Sequence, residues 1–441
     1  MSDFSGKIVG HKENILEIIS SSNKNIQSQF NLNTSVGLSL NCRSRELENI
    51  ENHNDTSLTI TVYDDHRKGT ASTNNLSKDS IKKAFEKATN IARNTQRDTC
   101  QGLPKEHIIK DVKQDLDIYH PISPEINEII EITKKCEAAG FDFDKKITNS
   151  EGSSFSMSEN ECMIINSEDM FGYYRSTDYS LSCIMLAQQG KSMERDYWYS
   201  STRDFANLED AESIGEEAAR RAVSRLNAKT ISSRVCPIIF PAEIASSFFN
   251  TFLSAINGHS IYKKSSFLVE KLGCELFPKF LTIREDPCVA NANGTRPFDS
   301  DGVMTSKKTI IDNGTLKTYL LDTYSARKLN QECTGNGVIT NIIVESVEDQ
   351  PSNLLSHVDE GIIITEMMGS GANLLTGDYS RGASGFYFKN GEVKYPVNGI
   401  TVASNLSEMF KNIIHIGDDY DTRGNIHTGS VLIDKMTIGG C

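Results

Sequence analysis

The histidines set the first limit on the chemistry of this sequence. Nine are present, at positions 11, 53, 66, 107, 120, 259, 357, 415 and 427, and no two lie within five residues of each other. A helical HExxH zinc site needs two imidazoles one turn apart on one helix face, and this spacing cannot supply them. A centre assembled from distant ligands such as His259, His415 and His427 stays open as an alternative. A serine nucleophile has little local support: no GxSxG elbow occurs, and Gly382-Ala-Ser384-Gly385 lacks the fifth position of that pattern. A Ser–His–Asp triad also stays open, because its members need not be neighbours in sequence. Asp299 with Asp301, and Asp418 with Asp419, have the types needed for metal ligation or acid–base work. Their neighbours Gly302 and Gly417 favour the simpler reading, in which short polar side chains fold a turn.

The densest unusual segment is Gly369-Ser-Gly-Ala-Asn-Leu-Leu-Thr-Gly-Asp-Tyr-Ser-Arg-Gly-Ala-Ser-Gly385. It begins like a phosphate-cradling GxGxxG loop, but Leu374 occupies the third glycine position, and Phe386-Tyr-Phe-Lys-Asn-Gly reads as strand and hairpin rather than helix. The simpler reading gives the glycines to turns and bulges in a β-domain. The functional reading is a surface that another backbone can approach closely, with Asp378, Tyr379 and Arg381 as polar anchors for an extended peptide.

These segments must be positioned by a scaffold whose periodicity is legible. Ser35 to Cys42 and Leu58 to Val62 alternate apolar and polar residues, the signature of half-buried strands. Two helices follow: one with Asp79 as cap and a stripe through Ile81, Ala84, Ala88 and Ile91, the other opened by Ser123-Pro124 and stopped at Gly140. Strands return over 150–205. A helix over 208–227 places Ile214, Ala218, Ala222 and Leu226 on one face, with Glu and Arg on a solvated one. The strand Val235 to Phe240 runs into a strongly apolar helix over about 241–257, stopped by Gly258. Beyond about 275 the chain reads as β, with hairpin turns at Asn313-Gly314 and Asn390-Gly391 and return strands Leu316 to Asp322 and Glu392 to Val402. The expected fold is α+β: an N-terminal α/β-type domain, 1–230, with a mixed sheet and helices, and a mainly antiparallel β domain, 231–441, holding one buried helix.

Composition narrows the classes. The 441 residues carry a formal net charge of −13 and a pI near 5.3, so nucleic acid is a poor partner, since phosphates are bound by basic faces. The ten cysteines are scattered, with no CxxC and a closest pair fourteen residues apart, as suits a reducing cytoplasm. No leader-like apolar run opens the chain, and no stretch approaches the roughly eighteen apolar residues of a membrane span, so a cytoplasmic protein is expected.

The second half carries strings that together resemble the PmbA/TldE family, relatives of TldD. They are Tyr262-Lys-Lys-Ser-Ser-Phe-Leu, Pro297-Phe-Asp-Ser-Asp-Gly-Val, Tyr324-Ser-Ala-Arg-Lys-Leu, Thr376-Gly-Asp-Tyr-Ser-Arg-Gly-Ala-Ser-Gly-Phe, Tyr395-Pro-Val, Asn412-Ile-Ile and Gly429-Ser-Val-Leu-Ile. Their order and spacing match over roughly 235–440, while the first half matches in general pattern. The resemblance implies a cytoplasmic assembly of a TldD-type and a TldE-type subunit that degrades or trims unfolded peptides, with roles in maturing microcin-type peptide antibiotics and in antitoxin turnover. An older label for such proteins is modulator of DNA gyrase; the acidic composition here gives no support to direct contact with DNA.

In TldD-type chains a strand leads into a helix beginning HExxxH, whose histidines hold zinc. The matching positions here read Phe240-Pro-Ala242-Glu243-Ile-Ala-Ser-Ser247, so Ala242 and Ser247 stand where imidazoles would be. Alanine has no donor atom and a neutral serine is a poor zinc ligand. Glu243 remains, with no metal-bound water to activate. The resemblance therefore implies a TldE-type subunit with no metal and no catalytic residue of its own, zinc residing in a TldD-like partner. Gly377, Asp378, Tyr379, Ser380, Arg381 and Gly382 become candidates for holding peptide or partner. A homodimer stays open where the partner is absent. The alternatives are an autonomous metallopeptidase with scattered ligands and a peptide- or protein-binding module without enzymatic role.

Overall fold

Alternation in the first half runs well past the short stretches in which it is most obvious. The structure, a computed structural model, describes residues 8–105, 116–346 and 354–440, so His107 lies outside the described residues. β1 (Ile26–Arg43), β2 (Glu46–Asp64), β3 (Arg67–Thr73), β4 (Ile147–Asn166), β5 (Phe171–Gln189) and β6 (Ser192–Thr202) form one sheet in the order β3-β2-β1-β4-β5-β6. Every pairing in it is antiparallel, where a mixed sheet was expected. Ser44-Arg45 and Asp65-His66 account for the first two hairpins, since two left-handed residues in succession turn the chain straight back on itself.

Two helix pairs cover one face of this sheet. α1 (Lys12–Ser21) and α2 (Lys78–Asn94) bury Ile15, Ile18, Ile81 and Phe85 on Phe30, Leu32 and Ile60, while α3 (Ile126–Phe143) and α4 (Ala211–Ser224) bury Ile129, Ile214 and Ala218 on Leu38, Leu40 and Leu181. Ser77 caps α2 in place of Asp79, and Phe85 and Ala92 complete its buried stripe while Ile91 faces solvent. α3 starts after Glu125 without a side-chain cap, and it runs through Gly140 to Phe143. Gly140 packs where the two helices cross: a Cβ on its neighbour Gly215 would stand 1.9 Å from the Cys136 carbonyl oxygen.

In the second half, β7 (Arg234–Phe240), β8 (Leu281–Asp286), β9 (Lys308–Asp312), β10 (Thr315–Leu316), β11 (Asn341–Ser346), β12 (Glu360–Met368), β13 (Asp378–Lys389), β14 (Glu392–Asn405), β15 (Ile413–Ile416), β16 (Ile426–His427) and β17 (Val431–Gly439) make two sheets. Their orders are β14-β13-β12-β7-β17-β15, with β14 also touching β17, and β10-β9-β8-β11-β16. Most pairings are antiparallel; β7–β12 and β11–β16 are parallel. Both Asn-Gly pairs sit at positive φ in hairpin turns. The strand after the first is only Thr315–Leu316, because the Leu320 backbone instead bonds that of Ile256 and Gly258.

α5 (Ala242–Ala255) is the buried helix, its Phe248, Phe249 and Phe252 meeting Phe277 and Phe410 in one aromatic core. Three shorter helices accompany it: α6 (Gly258–Tyr262), α7 (Thr323–Leu329) and α8 (Leu406–Lys411). Gly258 opens α6 under an Asn257 cap rather than closing α5. Among the described residues no helix is long and apolar enough to cross a membrane, and every cysteine is a free thiol.

Candidate functional site

β7 fixes the geometry of the candidate site. It delivers Phe240 to the sheet end, Pro241 follows, and α5 begins at Ala242. Because β12 runs parallel to β7, with Ile362 opposite Ile238, its residues Thr365–Met368 emerge at the same end. β13 returns beside it with Gly382 opposite Met368, and β17 starts there with Val431 opposite Phe240. One sheet end therefore gathers Ala242 and Glu243 at the start of α5, the 376–382 string and the approach to β17.

Glu243 does not face open water. Its Oε1 accepts from Arg221 Nη1 on α4 at 2.8 Å. Arg221 Nε also donates to Asp196 Oδ1 on β6 at 3.4 Å, and Asp196 Oδ2 accepts from Arg225 Nη1 at 3.2 Å. Arg225 continues to Glu366 on β12, so a chain of alternating charge ties the first sheet to the second half. Burial works against charge on Arg221, but Asp196 and Glu243 more than offset it and raise its pKa. The same opposition, with Glu366 and Asp196 prevailing, raises that of Arg225. Beside this row Arg423 stacks on Trp198 at 4.0 Å, grips Asp421 through two nitrogens and donates to the Tyr199 carbonyl. A cavity of about 250 Å³ opens between Asp196, Arg225, Ile244 and Thr365–Met367.

Sequence reasoning missed this network. α4 was read as presenting its charged residues to solvent, yet the Arg221 and Arg225 side chains are only 15% and 11% exposed. The available signal was weak. Arg221 and Arg225 each come three residues after a stripe position, Ala218 and Ala222, which places them at its margin rather than opposite it.

Ala242 is buried and offers only a methyl group, and the Ser247 Oγ is spent on the Ile244 carbonyl at 2.9 Å. These residues do not fit a zinc ion. The alternative ligands stand apart: His259 on α6 pairs with Asp322 at 3.0 Å, His415 on β15 stacks on His357, and His427 on β16 meets the Gly424 carbonyl at 3.2 Å. Among the described residues, no three of His, Cys, Asp and Glu form a group placed to hold a metal. The carboxylate pairs fold turns: Asp299 accepts the Asp301, Val303 and Gly337 amides, and Asp419 accepts from Ser430.

The 376–382 string divides between scaffold and surface. Gly377 sits at φ 81, its N–H donating to Asn373 and its carbonyl accepting from Leu406. Tyr379 is buried with its hydroxyl on Met367 Sδ, and burial raises its pKa against the pull of Arg381. Asp378 and Ser380 are exposed, though Asp378 also accepts from Thr376 at 2.7 Å. Arg381 is half-buried, and its Nε is enclosed without a hydrogen-bond partner. Gly382 has room for a side chain, its nearest obstacle being Met368 at 3.6 Å.

One sheet end thus brings together a strand-to-helix turn, a glycine-rich strand and a buried charge row. Three successive segments match models of one class of metallopeptidase: PmbA/TldA metallopeptidase domain 1 over 32–92, its central domain over 119–226 and its C-terminal domain over 233–440. The chain belongs to the PmbA/TldD family of metallopeptidases. It is 40% identical to Metalloprotease PmbA of Escherichia coli O157:H7, covering 95% of this chain and 93% of that one. It is 41% identical to the Metalloprotease PmbA homolog of Haemophilus influenzae, covering 92% and 90%. A Bacteroides thetaiotaomicron structure described as a candidate modulator of DNA gyrase superimposes with a TM-score of 0.91 at 26% identity, covering 98% and 99%. TldE of Thermococcus kodakarensis shares the fold, with a TM-score of 0.84 at 19% identity, covering 98% and 100%.

Proposed function

We propose that this chain is the non-catalytic, TldE-type subunit of a two-component metalloprotease, working in the cytoplasm beside a TldD-like partner that carries the zinc. The observation that carries the reading is the first turn of α5, where neither Ala242 nor Ser247 can ligate a metal and Glu243 is held by Arg221. A carboxylate engaged by a guanidinium, with no metal-bound water beside it, has nothing to activate. Relatives named both PmbA and TldD, the latter a Buchnera aphidicola homolog 25% identical over 57% of this chain, support two kinds of chain within one family. The substrate on this reading is unfolded peptide, held by the side chains of the 377–382 segment with Arg381 as the polar anchor, since the backbone there is already paired with β14 and with residues 371–373.

Hydrolysis of an unstructured peptide tests the proposal, using this chain alone, a TldD-like chain alone and the mixture, each with and without chelator. Activity confined to the mixture and abolished by chelator is the expected result. Chelator-sensitive hydrolysis by this chain alone overturns it.

A further inference from the structure

The helix-covered face of the first sheet carries a polar break between its two apolar cores. Even-numbered positions of β1 are apolar under α1 and α2 at Phe30 and Leu32, and again under α3 and α4 at Leu38 and Leu40. Between them the cross-strand rows read Thr56–Thr34–Glu161–Arg175 and Asn54–Val36–Glu159. Residues alternating on a strand share a face, so Glu159 and Glu161 project side by side into the gap that the helix pairs leave. That gap is a cavity of about 170 Å³.

Its walls are built rather than incidental. The Tyr119 hydroxyl donates to Glu159 Oε2 at 2.9 Å, and Tyr173 donates to Glu161 Oε1 at 2.8 Å. Arg175 stacks on the Tyr119 ring at 3.8 Å and donates to its oxygen at 3.2 Å. Glu161 is only 7% exposed, and His11, which also lines the cavity, has a buried Nδ1 without a hydrogen-bond partner. Among the described residues lining it, two carboxylates and one guanidinium leave a net charge of −1 in a partly enclosed space, where an uncompensated charge is costly. Ile8, Val36 and Leu76 give the same cavity an apolar wall.

We infer that this cavity binds a small primary amine, its ammonium between Glu159 and Glu161 and its short apolar tail against Ile8, Val36 and Leu76. An ammonium brings the missing positive charge and three donors. The volume suits a ligand of about six heavy atoms, since an engineered cavity of roughly 150 Å³ holds benzene. The inference concerns this chain alone and is independent of the proposed protease role.

Calorimetric titration of the full chain at neutral pH with n-butylamine, n-butanol, butyrate and L-norvaline tests it. Butylamine is expected to bind saturably at one site, about tenfold or more tighter than butanol or butyrate, the scale of a charge-assisted hydrogen bond. L-Norvaline, whose carboxylate returns a negative charge, is expected to bind more weakly than butylamine. Glu161→Gln should weaken butylamine about tenfold, and Val36→Phe, which fills the cavity while leaving both carboxylates and Arg175 in the chain, should abolish binding. Should Glu161→Gln not fold, Val36→Phe and the butanol comparison decide. No saturable butylamine binding, equal binding of butanol, tighter binding of norvaline, or undiminished binding by a folded Val36→Phe variant overturns the assignment.

Discussion

Two regions at the same sheet end use their polar residues in opposite ways. In the charge row, Asp196 is 5% exposed and is gripped by Arg221 and Arg225, which reach on to Glu243 and Glu366. Charge there is consumed within the molecule, joining β6, α4, α5 and β12. In the 369–385 segment the backbone does the joining, with Ser380 N–H donating to the Gly371 carbonyl at 2.8 Å, while Asp378 and Ser380 face outward. The contrast teaches that nearness to the start of α5 does not by itself leave a polar residue free to meet a ligand. What a ligand can reach is what the scaffold leaves unspent.

The largest test of the comparison is Asp196→Ala. It leaves two guanidiniums short of a partner in a desolvated seam, and removing one partner of a buried ion pair costs about 3 kcal/mol. Denaturant unfolding should show that loss, while Asp378→Ala on the other region should stay within about 0.5 kcal/mol. Equal effects would erase the distinction.

Gly371→Ala comes next. Its Cβ would stand 1.7 Å from the Ser380 carbonyl oxygen, so the 371–380 contact must open. A loss of about 2 kcal/mol is expected from such overpacking. Gly382→Ala, where the nearest side chain is 3.6 Å away, should cost far less. If the two alanines prove equivalent, the segment is not organised by close backbone approach.

Those glycines mark the boundary of what the sequence discloses. The α2 stripe, α5 and both Asn-Gly turns were legible because their signals repeat or act within a few residues. The charge row was not, since Arg225 meets Glu366 across 141 positions and no local pattern announces such a pair. The parallel β7–β12 pairing that brings them together is equally non-local. Ala242, Glu243 and Ser247 drew notice only through family resemblance, because an alanine has no chemical signature of its own. Nor did the alternation of β1 flag the Glu159–Glu161 gap, which depends on where two helix pairs stop.

Arg381→Ala probes the recognition half directly. Its Nε is enclosed and unpartnered, but the guanidinium acts on the Tyr379 hydroxyl, so unfolding should shift by about 1 kcal/mol, the scale of an ordinary point substitution. Peptide hydrolysis by the two-subunit mixture should nevertheless fall about tenfold, the scale of one lost interaction near 1.4 kcal/mol. Stability lost in step with activity would return Arg381 to the scaffold.

The smallest expected effect is a pH dependence at the edge of the charge row. His427 is 7% exposed, and burial lowers its pKa below the ordinary 6.5, prevailing over the favourable pull of the Gly424 carbonyl and Asp421. The folded chain therefore keeps this imidazole neutral at a pH where the unfolded chain protonates it. Below about 6.5 the unfolded state binds more protons, so stability falls as pH falls, by at most about 1.4 kcal/mol per unit for one proton. Above that pH the contribution is complete and flat. Unfolding free energies of wild type and His427→Gln, measured on both sides of this value, isolate the proton, because other titrating groups cancel in the difference. A shallower acid limb in the variant is expected, since glutamine has no proton to gain. Parallel limbs would mean that the charge row, rather than this histidine, carries the acid sensitivity of the seam.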